Sequence, residues 1–334
     1  MKLSAKVKKT LNSTARILIV AAACWFIYRQ VFVLGDFAHF SQQLAESLHS
    51  EGFRWLLPAV LLMMPLNWLL ETVKWRSLIR YLEPVTLPSA FRSVLAGITF
   101  SLFTPNRVGE FLGRIFTLRA NRIKSALLTI AGSISQLIVT LVAGMVALLF
   151  FIPQYVGFSE RWQDYLYAGL GIFMLLLSLL LVLLLLKVPV ITARLDKLIR
   201  PQWRHINLYL IVIERVSRRT LAGVLLLSAL RYLVFSAQFY LLLRAFGLEI
   251  PYFQAMMLIS LTYFVMAAIP TVALADLGIR GSVSIYFIGM YFGGNTAAAA
   301  SILSASTLIW IINLALPALL GVFFIRRISI IRKP

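Results

Sequence analysis

The sequence has few of the residues on which catalytic and metal sites usually depend. It contains one cysteine, Cys24, and three scattered histidines, His39, His49 and His205, among 334 residues. A single cysteine excludes an intramolecular disulfide and a cysteine metal cluster, and the histidines lack zinc-ligand spacing. No nucleophile elbow, paired-carboxylate motif or Walker loop is found. We therefore expect no catalytic residue, no metal and no cofactor.

Charged residues are also scarce, and acids are the scarcer kind. The chain has 12 Asp and Glu against 32 Lys and Arg, with 13% charged and 60% hydrophobic residues. A soluble domain carries about a quarter charged residues, so this composition predicts a polytopic integral membrane protein. In such a chain the formal charge of +20 indicates basic cytoplasmic loops that attract anionic lipid headgroups, and not nucleic-acid binding.

Long apolar runs predict an all-α fold. Six segments reach the roughly 20 residues that a spanning helix needs. They lie at about 16–34, 54–73, 125–151, 165–187, 220–246 and 297–325. Two further apolar regions, about 88–119 and 252–292, are broken near the middle, and each arm is too short to cross a bilayer. We expect two re-entrant helical hairpins within a single transmembrane domain that covers 1–334.

The distribution of basic residues supports this arrangement. With both hairpins re-entrant, the N-terminal tail, a basic loop at about 187–219 and the C-terminal tail share one face. The positive-inside rule makes that face cytoplasmic. We therefore predict a multi-pass protein of the cytoplasmic (inner) membrane with both termini in the cytoplasm, and hairpins that enter from opposite sides.

The first break carries several ionisable residues. The stretch FTPNRVGEFLGR places the helix breakers Pro105 and Gly109 beside Arg107, Glu110 and Arg114. Ionisable side chains in hydrocarbon indicate a functional site, and open helix ends attract anions. We predict that the two arginines bind a phosphate or phosphodiester while Glu110 acts as a switchable counter-ion. The alternative is an internal salt bridge that holds the hairpin together.

The second break repeats the pattern of the first. Pro270 and Gly278 interrupt the region, and Asp276 precedes Arg280 by four residues, the same acid-to-arginine spacing as in the first break. This spacing places acid and arginine on one helical face. Opposed broken hairpins of similar sequence indicate an inverted-repeat transporter with its site near the midplane.

Other polar residues within the apolar segments need partners. Arg231 lies well inside its span, and the available acids are Asp276 and Glu110, so we predict that it belongs to the same substrate site. Glu71 and Lys74 end the second predicted span, where we expect an interfacial cluster. Three amides are expected to form interhelical hydrogen bonds: Asn67, Gln136 and Gln238.

The first break also resembles a known family. The run Pro-x-Arg-x-Gly-Glu at 105–110, with Arg114 following, is similar to the flippase-like transmembrane region of the lysylphosphatidylglycerol synthase family. The Trp75-Arg76 pair and the second break, at 270–280, resemble the family pattern as well. Two positions depart from it: Asn106 stands where glycine is usual, and Gly281 where an acid is common.

The resemblance implies a lipid translocator without synthase activity. Its cargo would be an anionic or phosphate-linked lipid, aminoacylated or glycosylated, either a phospholipid or an isoprenoid-linked lipid. Two alternatives stay open: a secondary transporter of a small soluble anion, and a non-catalytic membrane partner of a lipid-synthesis enzyme. A cavity that opens sideways to lipid favours the translocator, whereas a sealed cavity favours the soluble anion.

Overall fold

Helices are the only regular elements in the part of the chain that the structure describes. A computed structural model of the protein describes residues 37–102, 104, 108–118, 121–156, 161–198, 211–269 and 273–325, with isolated positions before residue 30. These ranges contain eleven α-helices and no strand, which confirms the all-α prediction. In chain order they are Phe37–Leu48 (α1), Glu51–Ile79 (α2), Leu87–Ser101 (α3), Gly109–Ile115 (α4), Arg122–Phe151 (α5), Arg161–Leu198 (α6), Arg218–Ala245 (α7), Tyr252–Ala268 (α8), Ala273–Tyr291 (α9), Thr296–Trp310 (α10) and Leu316–Ile325 (α11).

Five helical stretches in the described ranges are long and apolar enough to cross a membrane. They are Glu51–Ile79, Arg122–Tyr155, Trp162–Arg194, Arg218–Ala245 and Thr296–Ile325. They correspond to five of the six predicted spans, and the first predicted span, about 16–34, lies outside the continuous described ranges. The protein is therefore a multi-pass membrane protein.

Two helices are longer than the spans predicted from hydropathy. The helix α2 continues to Ile79, beyond the predicted end at 73, and α6 continues to Leu198, so that the first part of the predicted 187–219 loop is helical. A charged side chain does not interrupt backbone hydrogen bonding. It needs only an ionic partner or a route to the interface.

Two of the long helices are widened by π-helical turns. Ile152–Val156 extends α5, and Ile311–Ala315 joins α10 to α11. Such turns inside long helices occur frequently at functional sites. The second turn contains the buried Asn313, which belongs to the site described below.

The helices α2 and α7 form the centre of the molecule as an antiparallel pair. At one end the rings of Phe53 and Phe246 lie 5.4 Å apart. At the other end Arg80 Nη2 donates to Thr220 Oγ1 at 3.2 Å. The hydrophobic core surrounds this pair and includes Trp75.

Both predicted breaks are present as interruptions between helices. The helices α3 and α4 lie on either side of the first, and α8 and α9 on either side of the second. Gly109 begins α4 as expected, whereas Gly278 lies inside α9 and is not part of a break. A single glycine weakens a helix by only about 1 kcal/mol, so the helix continues through it. Re-entry from opposite membrane faces remains a prediction.

The packing of the two halves is consistent with the predicted repeat. Shifting the first half by the separation between Glu110 and Asp276 brings the starts of α2 and α3 to within one residue of the starts of α7 and α8. The two broken regions also pack against distant parts of the chain. The helix α3 of the first packs against α11, and α8 of the second packs against α5. In the first contact, Thr99 Oγ1 donates to the carbonyl of Ala318 at 2.7 Å.

Candidate functional site

The first broken region is a tightly packed antiparallel pair of helices. A Cβ atom on Gly113 of α4 would lie 2.5 Å from the Cα of Gly97 in α3, so both positions need glycine for the helices to touch. At the break, the N–H of Gly109 donates to Thr104 Oγ1 at 2.6 Å. This close approach fixes the side chains that follow in α4.

The most deeply placed of these side chains is Arg114. Its side chain is only 2% exposed, and it forms ion pairs with Glu110, one turn earlier in α4, and with Glu71 of α2, the latter at 2.8 Å. The Glu110 pair corresponds to the internal salt bridge that was the alternative interpretation of this break. Arg114 therefore also ties the break to the central helix pair.

Glu71 is the centre of a buried ion cluster that the sequence analysis placed at the membrane interface. Its carboxylate contacts Lys74 Nζ at 2.6 Å, Arg114 Nη1 at 2.8 Å and Arg231 Nη1 at 3.0 Å. Glu71 and Lys74 are both buried, so the helices enclose the cluster. Its position at the membrane interface stays a prediction. One carboxylate can hold several cations because its two oxygens offer about four lone-pair sites.

Arg231 reaches from this cluster towards a cavity. Its Nε donates to Asn67 Oδ1 at 3.0 Å, and its guanidinium lies 4.9 Å from the ring centroid of Trp68. Asn67 in turn donates to Asn313 Oδ1 in the π turn at 2.9 Å. The predicted partners of Arg231 were Asp276 and Glu110; the structure instead pairs it with Glu71.

The second broken region contributes Asp276 and Arg280. Both are buried in α9, and Arg280 Nη2 lies 3.4 Å from each carboxylate oxygen of Asp276. A separation of 3.4 Å is long for a charge-assisted hydrogen bond, which is typically about 2.7–2.9 Å. This pair is therefore looser than the pairs around Glu71.

A cavity of about 810 Å³ connects these elements. Its charged lining residues in the described ranges are Arg231, Asp276 and Arg280. Uncharged polar residues from several helices also line it, including Asn67, Ser133, Gln136, Thr140 and Asn313. Three of the six predicted substrate-site residues thus share one cavity, while Arg114 and Glu110 lie behind it and are linked to it through Glu71 and Arg231.

One side of the cavity is made of apolar side chains on the outer surface of α5. Ile130, Ile134 and Leu137 line the cavity and are 37%, 44% and 43% exposed. These positions recur with helical spacing and form one stripe of α5. In the described ranges, the cavity therefore borders a surface that a membrane-spanning helix turns towards hydrocarbon.

Several hydrogen-bond donors around the cavity have no acceptor among the described residues. They are the Nε1 atoms of Trp68 and Trp310, the hydroxyl of Tyr263 and Nε of Arg280. A buried donor without a partner costs about 1–3 kcal/mol. These atoms are enclosed by the protein, so a ligand could contact them only after the surrounding side chains rearrange.

The charges of the connected site do not cancel. The ion pairs of the described residues join four cations, Lys74, Arg114, Arg231 and Arg280, with three acids, Glu71, Glu110 and Asp276. With every group ionised, one positive charge is left over. Each of these four cations has an acid partner among the described residues, so the excess is one of net charge.

Three predicted residues lie outside the described part of the chain, whereas the three amides lie within it. Arg107 and the break residues Pro105 and Pro270 lie outside the described residues. Gln136 donates to the Ser228 carbonyl and Gln238 to the Val60 carbonyl, which together with Asn67 confirms the interhelical role expected for the amides. The described part of the chain holds no group of three or more His, Cys, Asp or Glu arranged to bind a metal.

Comparison with known proteins identifies the family of the chain. Searches of curated proteins and of solved structures each give no match. A comparison with protein-family models matches residues 13–321 to the family described as the lysylphosphatidylglycerol synthase TM region. This match covers nearly the whole chain, so the protein belongs to that family, which connects it with lipid synthesis or flipping in a membrane.

Proposed function

We propose that the protein is a lipid flippase that moves an anionic or phosphate-linked lipid across the cytoplasmic membrane, and that it catalyses no chemical step. The observation that carries the proposal is the cavity of about 810 Å³, which combines Arg231 and Arg280 with a wall of exposed apolar side chains on α5. An anionic headgroup requires the arginines, and its acyl chains require an apolar opening at the side of the cavity. A soluble anion requires only the arginines.

In this proposal, the headgroup phosphate binds between Arg231 and Arg280. Arginine presents a planar set of N–H donors that matches phosphate oxygens, often in bidentate geometry. Arg107, which belongs to the first break, is a further candidate contact.

Movement of the lipid requires that the arginines change partners. Arg231 shares its guanidinium between Glu71 and the cavity, so a bound phosphate competes with Glu71 for it. The loose Asp276–Arg280 pair opens in the same way at the other broken region. Release follows when the two carboxylates recapture their arginines, while the acyl chains stay in the lipid beside α5.

The experiment for the binding step is native mass spectrometry of the purified protein, with identification of the lipids that it retains. Arg231→Gln/Arg280→Gln removes both cavity arginines, and Arg244→Gln removes an exposed arginine of the same helix as Arg231. We expect the double variant to retain fewer copies of an anionic or phosphate-linked lipid per protein molecule than the parent and the Arg244 variant, which should retain equal numbers.

Three other outcomes of that experiment contradict the proposal. Equal, unselective lipid retention in all three proteins would mean that the cavity does not bind the lipid. Displacement of the retained lipid by millimolar inorganic phosphate alone, with no chain-length dependence, would favour the soluble-anion transporter. Co-purification of a lipid-synthesis enzyme, without any retained lipid, would favour a non-catalytic partner role.

The orientation is part of the same proposal. We place both termini in the cytoplasm, because the basic residues then collect on the cytoplasmic face. Reporter fusions at the two ends of the chain test this orientation: a cytoplasm-dependent fluorescent protein should be bright at both ends, and a periplasmic phosphatase should be inactive at both. The opposite pattern would contradict the assigned orientation.

A further inference from the structure

A second cavity lies at one end of the central helix pair, away from the site described above. It has a volume of about 380 Å³ and separates the last turns of α2 from the first turns of α7. Its described lining residues are Ser77 and Arg80 from the end of α2, then Ser217, Arg219, Thr220, Gly223 and Leu227 around the start of α7. None of them lines the larger cavity.

One end of this cavity is polar and positively charged. Arg80 and Arg219 line it together with the hydroxyl groups of Ser77, Ser217 and Thr220, and no carboxylate is among its described lining residues. Arg80 is held in place, since its Nη2 donates to Thr220 Oγ1 at 3.2 Å and its guanidinium lies 5.6 Å from the ring centroid of Tyr81. A guanidinium has five N–H donors, so Arg80 has further donors besides the one that binds Thr220.

The other end of the cavity is apolar and runs along α7. Gly223 and Leu227 follow Thr220 at helical spacing, so the three share one face of the helix. A Cβ atom on Gly223 would meet nothing within 4 Å, which means that the missing side chain leaves open space there. The neighbouring Leu226 and Leu230 are exposed side chains of this membrane-spanning helix.

The order of these features along the helix matches one class of ligand. Two arginines and three hydroxyls lie at the helix ends, where a spanning helix meets the headgroup region, and the open apolar groove follows towards the middle of the span. A phosphate group fits the first part because arginine and hydroxyl donors both bind its oxygens. A hydrocarbon chain fits the second part.

We propose that this groove is a binding site for an anionic phospholipid, with the phosphate between Arg80 and Arg219 and an acyl chain along Gly223 and Leu227. This lipid is not the transported cargo, because the groove and the larger cavity have no lining residue in common. It binds the joint between α2 and α7 and stabilises the packing of the two halves. The inference goes beyond the proposed transport function and does not depend on it.

The test measures phosphatidylglycerol binding by native mass spectrometry during a titration of the detergent-solubilised protein. Arg80→Gln/Arg219→Gln removes the headgroup contacts, and Gly223→Leu fills the groove while leaving both arginines. The matched control is Arg215→Gln/Arg218→Gln, which makes the same change in net charge at exposed arginines that do not line the groove. Thermal unfolding of each variant checks that it is folded. Leucine is a better helix former than glycine, so we expect the Gly223→Leu variant to fold.

We expect the arginine pair variant to bind phosphatidylglycerol on the order of tenfold more weakly, which corresponds to about 1.4 kcal/mol, because the phosphate loses charge-assisted hydrogen bonds. Gly223→Leu should weaken phosphatidylglycerol binding as well, and the control should leave it unchanged. Binding to the groove should persist in Arg231→Gln, which separates this site from the larger cavity and from the transport proposal.

Two results overturn the inference. If the control variant weakens binding as much as the Arg80/Arg219 variant, the effect is general surface charge and the groove is not a site. If Gly223→Leu binds phosphatidylglycerol as tightly as the parent, while inorganic phosphate competes fully, the arginines hold a free phosphate and no acyl chain occupies the groove.

Discussion

Glu71 is the residue whose neutralisation we expect to destabilise the protein most. Its buried carboxylate contacts three cations, at 2.6, 2.8 and 3.0 Å. Glu71→Gln preserves the shape of the side chain and removes its charge. Lys74, Arg114 and Arg231 are then left with Glu110 as the remaining acid of the described cluster.

The size of the effect follows from the burial of these groups. Removing one partner of a buried ion pair costs about 3–5 kcal/mol, since the other charge stays desolvated without compensation. The glutamine oxygen can still accept one hydrogen bond, so we expect a loss of about 3 kcal/mol in the free energy of unfolding. Glu71→Gln/Lys74→Met removes one charge of each sign and should recover most of that loss.

The assay is unfolding in mixed micelles at increasing denaturing detergent, followed by the fluorescence of the seven tryptophans. The matched control is Glu51→Gln, the same substitution in the same helix. The Glu51 side chain is 91% exposed and lies 4.0 Å from Arg54, so its ion pair should contribute little. Equal unfolding curves for the two single variants, or no recovery in the double variant, would refute the ion-cluster reasoning.

Four further variants test other parts of the structure. Gly113→Ala places a methyl group against the facing helix and should lower the free energy of unfolding by about 1–3 kcal/mol, whereas Gly278→Ala, where a Cβ atom meets nothing within 4 Å, should not, as unfolding curves will show. Asn67→Leu removes the hydrogen bond that orients Arg231 and should weaken retention of an anionic lipid in native mass spectra. Asp276→Asn increases the positive charge of the larger cavity, so we expect tighter lipid retention but slower release in a wash-out experiment.

The helices were largely predictable because their signal is local. Runs of about 20 apolar residues identify spanning helices without knowledge of their neighbours, and the proline-containing breaks indicated where the shorter helices end. The helices continue beyond the apolar runs that predicted the spans. The helix α2 continues through Glu71 and Lys74 to Ile79, because both side chains find ionic partners inside the protein.

The ion cluster was not predictable because its partners are distant in the sequence. Glu71 binds Arg114, 43 residues away, and Arg231, 160 residues away. Sequence spacing identifies pairs within one helix, such as Glu110 with Arg114 and Asp276 with Arg280, and both of these pairs are present. It does not identify which helices are neighbours, and so Arg231 was assigned the wrong acids.

The central claim is that the protein moves an anionic lipid past Arg231, and translocation in liposomes tests it most directly. The purified protein is reconstituted into liposomes that contain a fluorescent phosphatidylglycerol, and dithionite quenching reports the fraction that reaches the outer leaflet. We predict faster exchange with the parent and Arg244→Gln than with Arg231→Gln or protein-free liposomes. Exchange by Arg231→Gln at the rate of the parent, or by the parent at the rate of protein-free liposomes, would contradict the claim.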